Sequence, residues 1–158
     1  MKRTALFVML CLTLLLFSAC QQEPEQPVFS QPPDMTVTVT EGSATQSWSK
    51  GNWNYTDTHG TPTNMNKDGL LAYQWWAQEA DLTTADREAQ FTFALPPDEV
   101  AVSRYSVTDG SETFCELTEN GSLTLTDGRW TYVFMVQWND ESREQYGWAR
   151  YSVCIEKR

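Results

Sequence analysis

A chain of 158 residues with 41% hydrophobic content has room for one hydrophobic core and not comfortably for two. Its 21 acidic against 11 basic residues give a formal net charge of −10, and after Lys2 and Arg3 the basic residues are scattered singly until Lys157 and Arg158, which rules against nucleic acid, a partner gripped by clustered Lys and Arg. With one histidine, and no His-Glu-x-x-His or Gly-x-Ser-x-Gly sequence, the common zinc and serine hydrolase constellations are also missing.

Lys2 and Arg3 precede an apolar run from Ala5 to Phe17 that ends in Ser18 and Ala19, the order of a secretory signal. The run is shorter than the roughly 20 apolar residues that a membrane-spanning helix needs. Cys20 follows at once, and "FSAC" resembles the lipobox of bacterial lipoproteins, with Phe17 where that motif usually has Leu. The resemblance implies a signal peptide over 1–19, cleavage before Cys20, and diacylglyceryl attachment to its thiol. Two acyl chains are what stable anchoring requires, so the body is expected on the outer face of the cell membrane. Loss of Lys2 and Arg3 with the leader takes the net charge to −12. Residues Gln21 to Asp34, "QQEPEQPVFSQPPD", hold four of the seven prolines. They read as an extended tether over 20–34 reaching on the order of 40 Å, with a folded domain over 35–158.

Within that domain "MTVTVTE" alternates strictly from Met35 to Glu41, the pattern of a half-buried strand. "TQSWSKGNWNY" reads as one or two more strands. In "LLAYQWWAQEADLTTADREAQ" the near-helical spacing of Leu71, Trp75 and Leu82 predicts one short helix near residues 71–80. "AQFTFAL", "VAVSRYSV" and "SLTLT" alternate again, separated by Pro96-Pro97-Asp98, Asp109-Gly110, Asn120-Gly121 and Asp127-Gly128. "RWTYVFMVQW" is apolar on both faces and predicts a central strand. "GWARYSVCIEK" returns with Tyr151, Val153 and Ile155 in one phase, forming the strongest hairpin. About seven strands at this spacing predict an all-β fold, a single antiparallel two-sheet sandwich, with a barrel as the alternative.

"DGRWTYVFMVQW" followed by "YGWARYSVCI" is similar to the last hairpin of small lipoproteins of Gram-positive bacteria that carry an immunoglobulin-like domain. The resemblance covers about a third of the mature chain. It implies an immunoglobulin-like sandwich and an extracytoplasmic location, and it carries over no catalytic residue.

Chemistry-bearing residues are few. His59 in "TDTHGTP" has Asp57 two residues before it, the partner type for a general base, but no nucleophile is marked nearby. "NMNKDG" offers oxygen ligands at Asn64, Asn66 and Asp68 with Gly69 to turn the chain, a weak calcium motif because Trp75 stands where a bidentate Glu should close the site. Otherwise no cofactor is indicated. Seven tryptophans invite sugar stacking; with Trp130, Trp138 and Trp148 assigned to the hairpin, Trp48, Trp53, Trp75 and Trp76 are the candidates. Cys11 leaves with the signal and Cys20 is taken by lipid, leaving Cys115 and Cys154 either bonded or free. Cys154 shares its phase with Trp148 and Arg150, facing away from the main core.

These readings point to a membrane-tethered extracytoplasmic binding or interaction module with an extracellular protein or glycan as partner. The alternative is a carbohydrate-binding module using exposed tryptophans, and the third reading is a hydrolase working through His59 and Asp57. The leading expectation is a non-enzyme.

Overall fold

The double-sided apolar run becomes the middle of a sheet. In a computed structural model describing residues 27–69, 79–118, 120–139 and 144–158, β10 (Gly128–Trp138) and β11 (Gln145–Lys157) pair antiparallel, from Gly128 opposite Lys157 to Trp138 opposite Gly147. The remaining strands are β1 (Met35–Val39), β2 (Gly42–Gln46), β3 (Lys50–Thr56), β4 (Pro62–Lys67), β5 (Leu82–Thr84), β6 (Glu88–Phe93), β7 (Glu99–Ser106), β8 (Glu112–Cys115) and β9 (Ser122–Thr124).

They form a sandwich of two sheets, β2-β1-β6-β9 and β4-β3-β11-β10-β7-β8, with β5 added to β11 beyond the end of β3. All pairings are antiparallel except β5 with β11. That parallel pair, the β6–β9 pair and the β8-β7-β10-β11 row follow the strand order of immunoglobulin sandwiches. The hydroxyl of Tyr132 accepts a 3.2 Å hydrogen bond from the backbone N–H of Thr126 six residues earlier, the device such sandwiches use where the chain enters this strand.

Eleven strands stand among the described residues where the pattern predicts about seven. The extra ones, β2, β4, β5 and β8, are short and mostly polar, and three of them lie at sheet edges, so no apolar alternation announces them. No helix occurs among the described residues. Most of the helix expected near 71–80 lies outside them, and Leu82, read as its last apolar position, instead begins β5.

Aromatic rings join the layers. Phe91 lies 4.4 Å from Phe134, and Phe93 meets Tyr151 at 5.5 Å and Trp138 at 6.1 Å between ring centroids. Trp53 meets Trp138 edge to face at 5.2 Å within the larger sheet. Such pairs add about 0.5–1.5 kcal/mol each beyond burial of their area. The outward face of the central strands is also closed in part, since Thr131, Val133 and Cys154 are buried, while Met135 is open.

The domain begins before Met35. Gln145, buried at the start of β11, accepts from Phe29 N at 2.6 Å and donates to Pro27 O at 3.1 Å. Trp53 Nε1 donates to Phe29 O at 2.8 Å, Tyr151 Oη donates to Pro33 O at 2.6 Å, and Pro32 and Pro33 are buried. Residues 27–34, expected to be free tether, are a strap built into the body. Prolines lack N–H donors, yet their carbonyls accept, and that capacity fixes the segment.

Cys115 and Cys154 are not bonded to each other. Cys115 packs against the core from β8 beside Val102, whereas Cys154 sits on the outward side of β11 beside Thr131. With β7 and β10 between them, their separation is at least about 14 Å at ordinary strand spacing, twice what a disulfide spans.

Candidate binding face

The hairpin β3–β4 carries two copies of one small pattern, Asn52-Trp53-Asn54 and Asn64-Met65-Asn66. Alternation sends Trp53 and Met65 toward the core and the four asparagines to the opposite, solvent side. The register sets Asn52 opposite Asn66 and Asn54 opposite Asn64, so the four amides form a square.

Their hydrogen bonds close on themselves. Asn52 Nδ2 donates to Asn66 Oδ1 at 2.7 Å, Asn66 Nδ2 to Asn64 Oδ1 at 2.6 Å, Asn64 Nδ2 to Asn54 Oδ1 at 2.6 Å, and Asn54 Nδ2 to Asn52 Oδ1 at 3.0 Å. A cyclic array in which every amide both donates and accepts strengthens each bond and fixes each amide plane.

β11 extends the two rows. Trp148 stands opposite Asn52, and Tyr146 opposite Asn54; on the far side of Trp148 comes Gln137 of β10. Both rings are half-buried, leaving part of each exposed. A depression of about 510 Å3 follows this floor, lined by Asn52, Asn54, Gln137, Asn139, Tyr146 and Trp148 among others. A second, of about 270 Å3, adjoins it through Asn54 and Tyr146 and reaches Tyr55, Thr63 and Glu144. Both are shallow and open.

Two glycines let the strands approach. A Cβ on Gly147 would lie 2.1 Å from Asn52 O, and one on Gly51 would lie 2.2 Å from Trp148 O, so either side chain would drive β3 and β11 apart. Gly147 sits between Tyr146 and Trp148 and thereby sets the distance from the aromatic pair to the amide ring. Lys67 caps the hairpin, donating to Trp48 O at 2.7 Å and standing 5.3 Å over its indole.

The residues singled out in the sequence fall elsewhere or into new roles. Trp48 and Trp53, offered as exposed stacking surfaces, are core residues at 4% and 0% exposure. Trp53 on β3 and Trp48 in the connection before it both join the buried core, where large aromatic rings bury the most area. Trp75 and Trp76 lie outside the described residues. His59 is exposed on the β3–β4 turn. Asp57 accepts at 2.8 Å from the backbone N–H of both His59 and Thr61, holding the turn rather than orienting the imidazole. Asn64 and Asn66 lie on an extended strand and Asp68 pairs with Lys50 at 3.2 Å, so the three do not form a calcium loop; the asparagine oxygens already accept from neighbouring amides. Among the described residues no three His, Cys, Asp or Glu side chains converge.

Trp148, Tyr146, Asn52 and Asn54 were missed. The phase that turns Cys154 outward turns Trp148 outward as well, and the doubled Asn-x-Asn spacing was visible. What was not visible is the register that joins them.

No protein-family model matches the chain, and neither curated proteins nor solved structures give a match.

Proposed function

We propose that this protein is a membrane-tethered extracytoplasmic binding module, anchored through lipid on Cys20, whose contact surface is the amide and aromatic face of β4, β3 and β11. The observation that carries the reading is the closed ring of Asn52, Asn54, Asn64 and Asn66 beside Trp148 and Tyr146. Side chains locked on a sheet present polar groups at fixed positions, and rigid placement lowers the ordering cost of binding. Asp57 is committed to backbone amides, so His59 gains no carboxylate orienter and the hydrolase reading loses its support.

The test uses the full chain in the cells that make it. Labelling with an alkyne-tagged fatty acid should mark the wild type and not Cys20→Ser, and a photo-crosslinking residue at Asn64 should capture extracytoplasmic material that a crosslinker at Asp109 does not. An unlabelled wild type overturns the anchor. Equal capture from both positions, or none from Asn64, overturns the binding face.

A further inference from the structure

We infer that this face binds a neutral polyhydroxylated ligand, a non-ionic glycan, with Trp148 and Tyr146 stacking on sugar rings and the asparagine ring reading their hydroxyls. The inference rests on the binding reading above and gives it a ligand class.

Charge makes the first selection. The chain carries a net charge of −10, yet the four ring residues, Gln137 and Asn139 are all uncharged amides. Among the described residues lining the two depressions only Glu144 is charged. An anionic polymer would be repelled by the protein as a whole and would meet no cation among the described residues of the floor, Lys50 and Arg150 standing two residues further along the strands with Lys50 engaged by Asp68; a cationic one would find a single carboxylate at one side. A neutral ligand suffers neither penalty.

Hydrogen-bond valence makes the second. An amide offers two N–H donors and two carbonyl lone pairs. Asn52 Oδ1 accepts from both Asn54 and Asn64, and Asn54 Nδ2 also reaches Tyr146 O at 3.4 Å. What remains is an N–H on Asn52 and on Asn66, and a lone pair on Asn54, Asn64 and Asn66. Both donors therefore lie along the Asn66-Asn52-Trp148 row and two of the three acceptors along the Asn64-Asn54-Tyr146 row, about 6.6 Å apart along the strands. A hydroxyl donates and accepts through one atom, so adjacent hydroxyls of a sugar satisfy both rows. An acyl chain would cover these groups and leave them unpaired, which costs free energy. A peptide added as a strand would use the backbone edge of β4 and not the side chains on the face.

Shape and aromatic placement agree. Pyranose rings have an apolar C–H face and a hydroxylated rim; an indole and a phenol set in line with amide rows match both at once. An open trough admits a chain that continues past either end, as a polysaccharide does.

Affinity electrophoresis of the purified full-length protein in gels containing β-1,3-glucan, xylan, galactomannan or starch, with polygalacturonate as the anionic counterpart, tests the inference. Retardation is expected in at least one neutral polymer and not in polygalacturonate. Trp148→Ala and Asn64→Ala should each weaken it at least tenfold, whereas Phe114→Ser, at an 82% exposed residue on β8 remote from the floor, should leave it unchanged. Asn64 is exposed, so its variant remains informative where Trp148→Ala fails to fold. No retardation in any neutral polymer, or retardation indifferent to both variants, overturns the glycan inference. Crosslinking from Asn64 to a protein together with no retardation overturns the glycan alone; neither crosslink nor retardation overturns the binding face too.

Discussion

The phenol of Tyr151, fully buried on β11, donates a 2.6 Å hydrogen bond to the carbonyl of Pro33, 118 residues earlier in the chain. Tyr151 also packs on Phe93 of the opposite sheet, so one side chain ties the strap to both layers. Burial pushes its ionisation well above the ordinary phenol range. Tyr151→Phe keeps the ring and deletes the donor, leaving Pro33 O buried without a partner. The cost should be about 1–3 kcal/mol, read as a lower urea midpoint with little change in slope. Cleavage within 27–34 by a trace protease should also accelerate. An unchanged midpoint would show that the strap's polar handle contributes nothing.

On the proposal that Cys20 carries lipid, the strap also shortens the leash. Six residues separate Cys20 from Pro27, so a lipid at Cys20 holds Pro27 within on the order of 25 Å of its attachment point, well short of the reach expected when 27–34 was counted as tether. Pro27 is bound to Gln145, and Thr56 N donates to Glu144 O, so the β3–β4 turn shares that end of the sandwich. Asp109, on the β7–β8 turn, is at the other. In vesicles holding the lipidated protein and an acceptor-labelled headgroup, a donor dye at His59→Cys should transfer more efficiently than one at Asp109→Cys. Equal transfer would mean the strap releases at the membrane.

How far this was legible depends on which physical signal each element carries. The last hairpin was readable because Tyr132, Phe134, Val136 and Trp138 repeat at the strand period, and the sandwich follows from several such runs. The stretch from Asn64 to Gly69 reads as a cation loop because Asn, Asp and Gly punctuate it, and only pairing with β3 makes Asn64, Asn66 and Lys67 part of a strand. The strap was invisible for a different reason: prolines mark extended chain, and nothing local says whether an extended chain floats or docks. The candidate face was half-legible, since alternation gives the side of the sheet, while the square of asparagines exists only once Asn52 faces Asn66.

Gly147 offers a test of how the face is held. Any Cβ there must displace Asn52 O, and the nearest relief is to open the β3–β11 pair that places Trp148 beside Asn52. Gly147→Ala should cost about 1–3 kcal/mol, the usual range for overpacking. It should also weaken whatever the face binds by more than the exposed control Phe114→Ser does. A variant of wild-type stability and binding would show that the close approach is not required.

The cysteines allow a cleaner experiment. Because Cys115 and Cys154 lie on opposite sides of the larger sheet with two strands between them, dithiothreitol should leave the denaturation midpoint unchanged. Burial raises both thiols above the ordinary range, so neither is an activated nucleophile, and Cys154, with no exposed surface, should react with a thiol reagent only on unfolding. A midpoint that falls on reduction would require a bridge the sheet does not permit.

Tyr105 supplies the alkaline limit. Its hydroxyl on β7 donates to Glu112 Oε1 of β8 at 2.7 Å, and burial first, then that bond, push its pKa from 10.0 up to about 12. The fold thus favours the protonated phenol. Its contribution is complete below pH 10, where the unfolded chain also keeps the proton, and is lost as pH rises from 10 through 12. Glu112→Gln removes the anionic acceptor but not the burial, so the midpoint should fall below 12 without returning to 10.0. Tyr105→Phe should remove the step from the phenolate absorbance, making the difference from wild type the trace of this residue alone. If that difference centres near 10 in the wild type, or fails to move in Glu112→Gln, the β7–β8 contact does not hold the proton and this edge of the sheet is looser than the hydrogen bond implies.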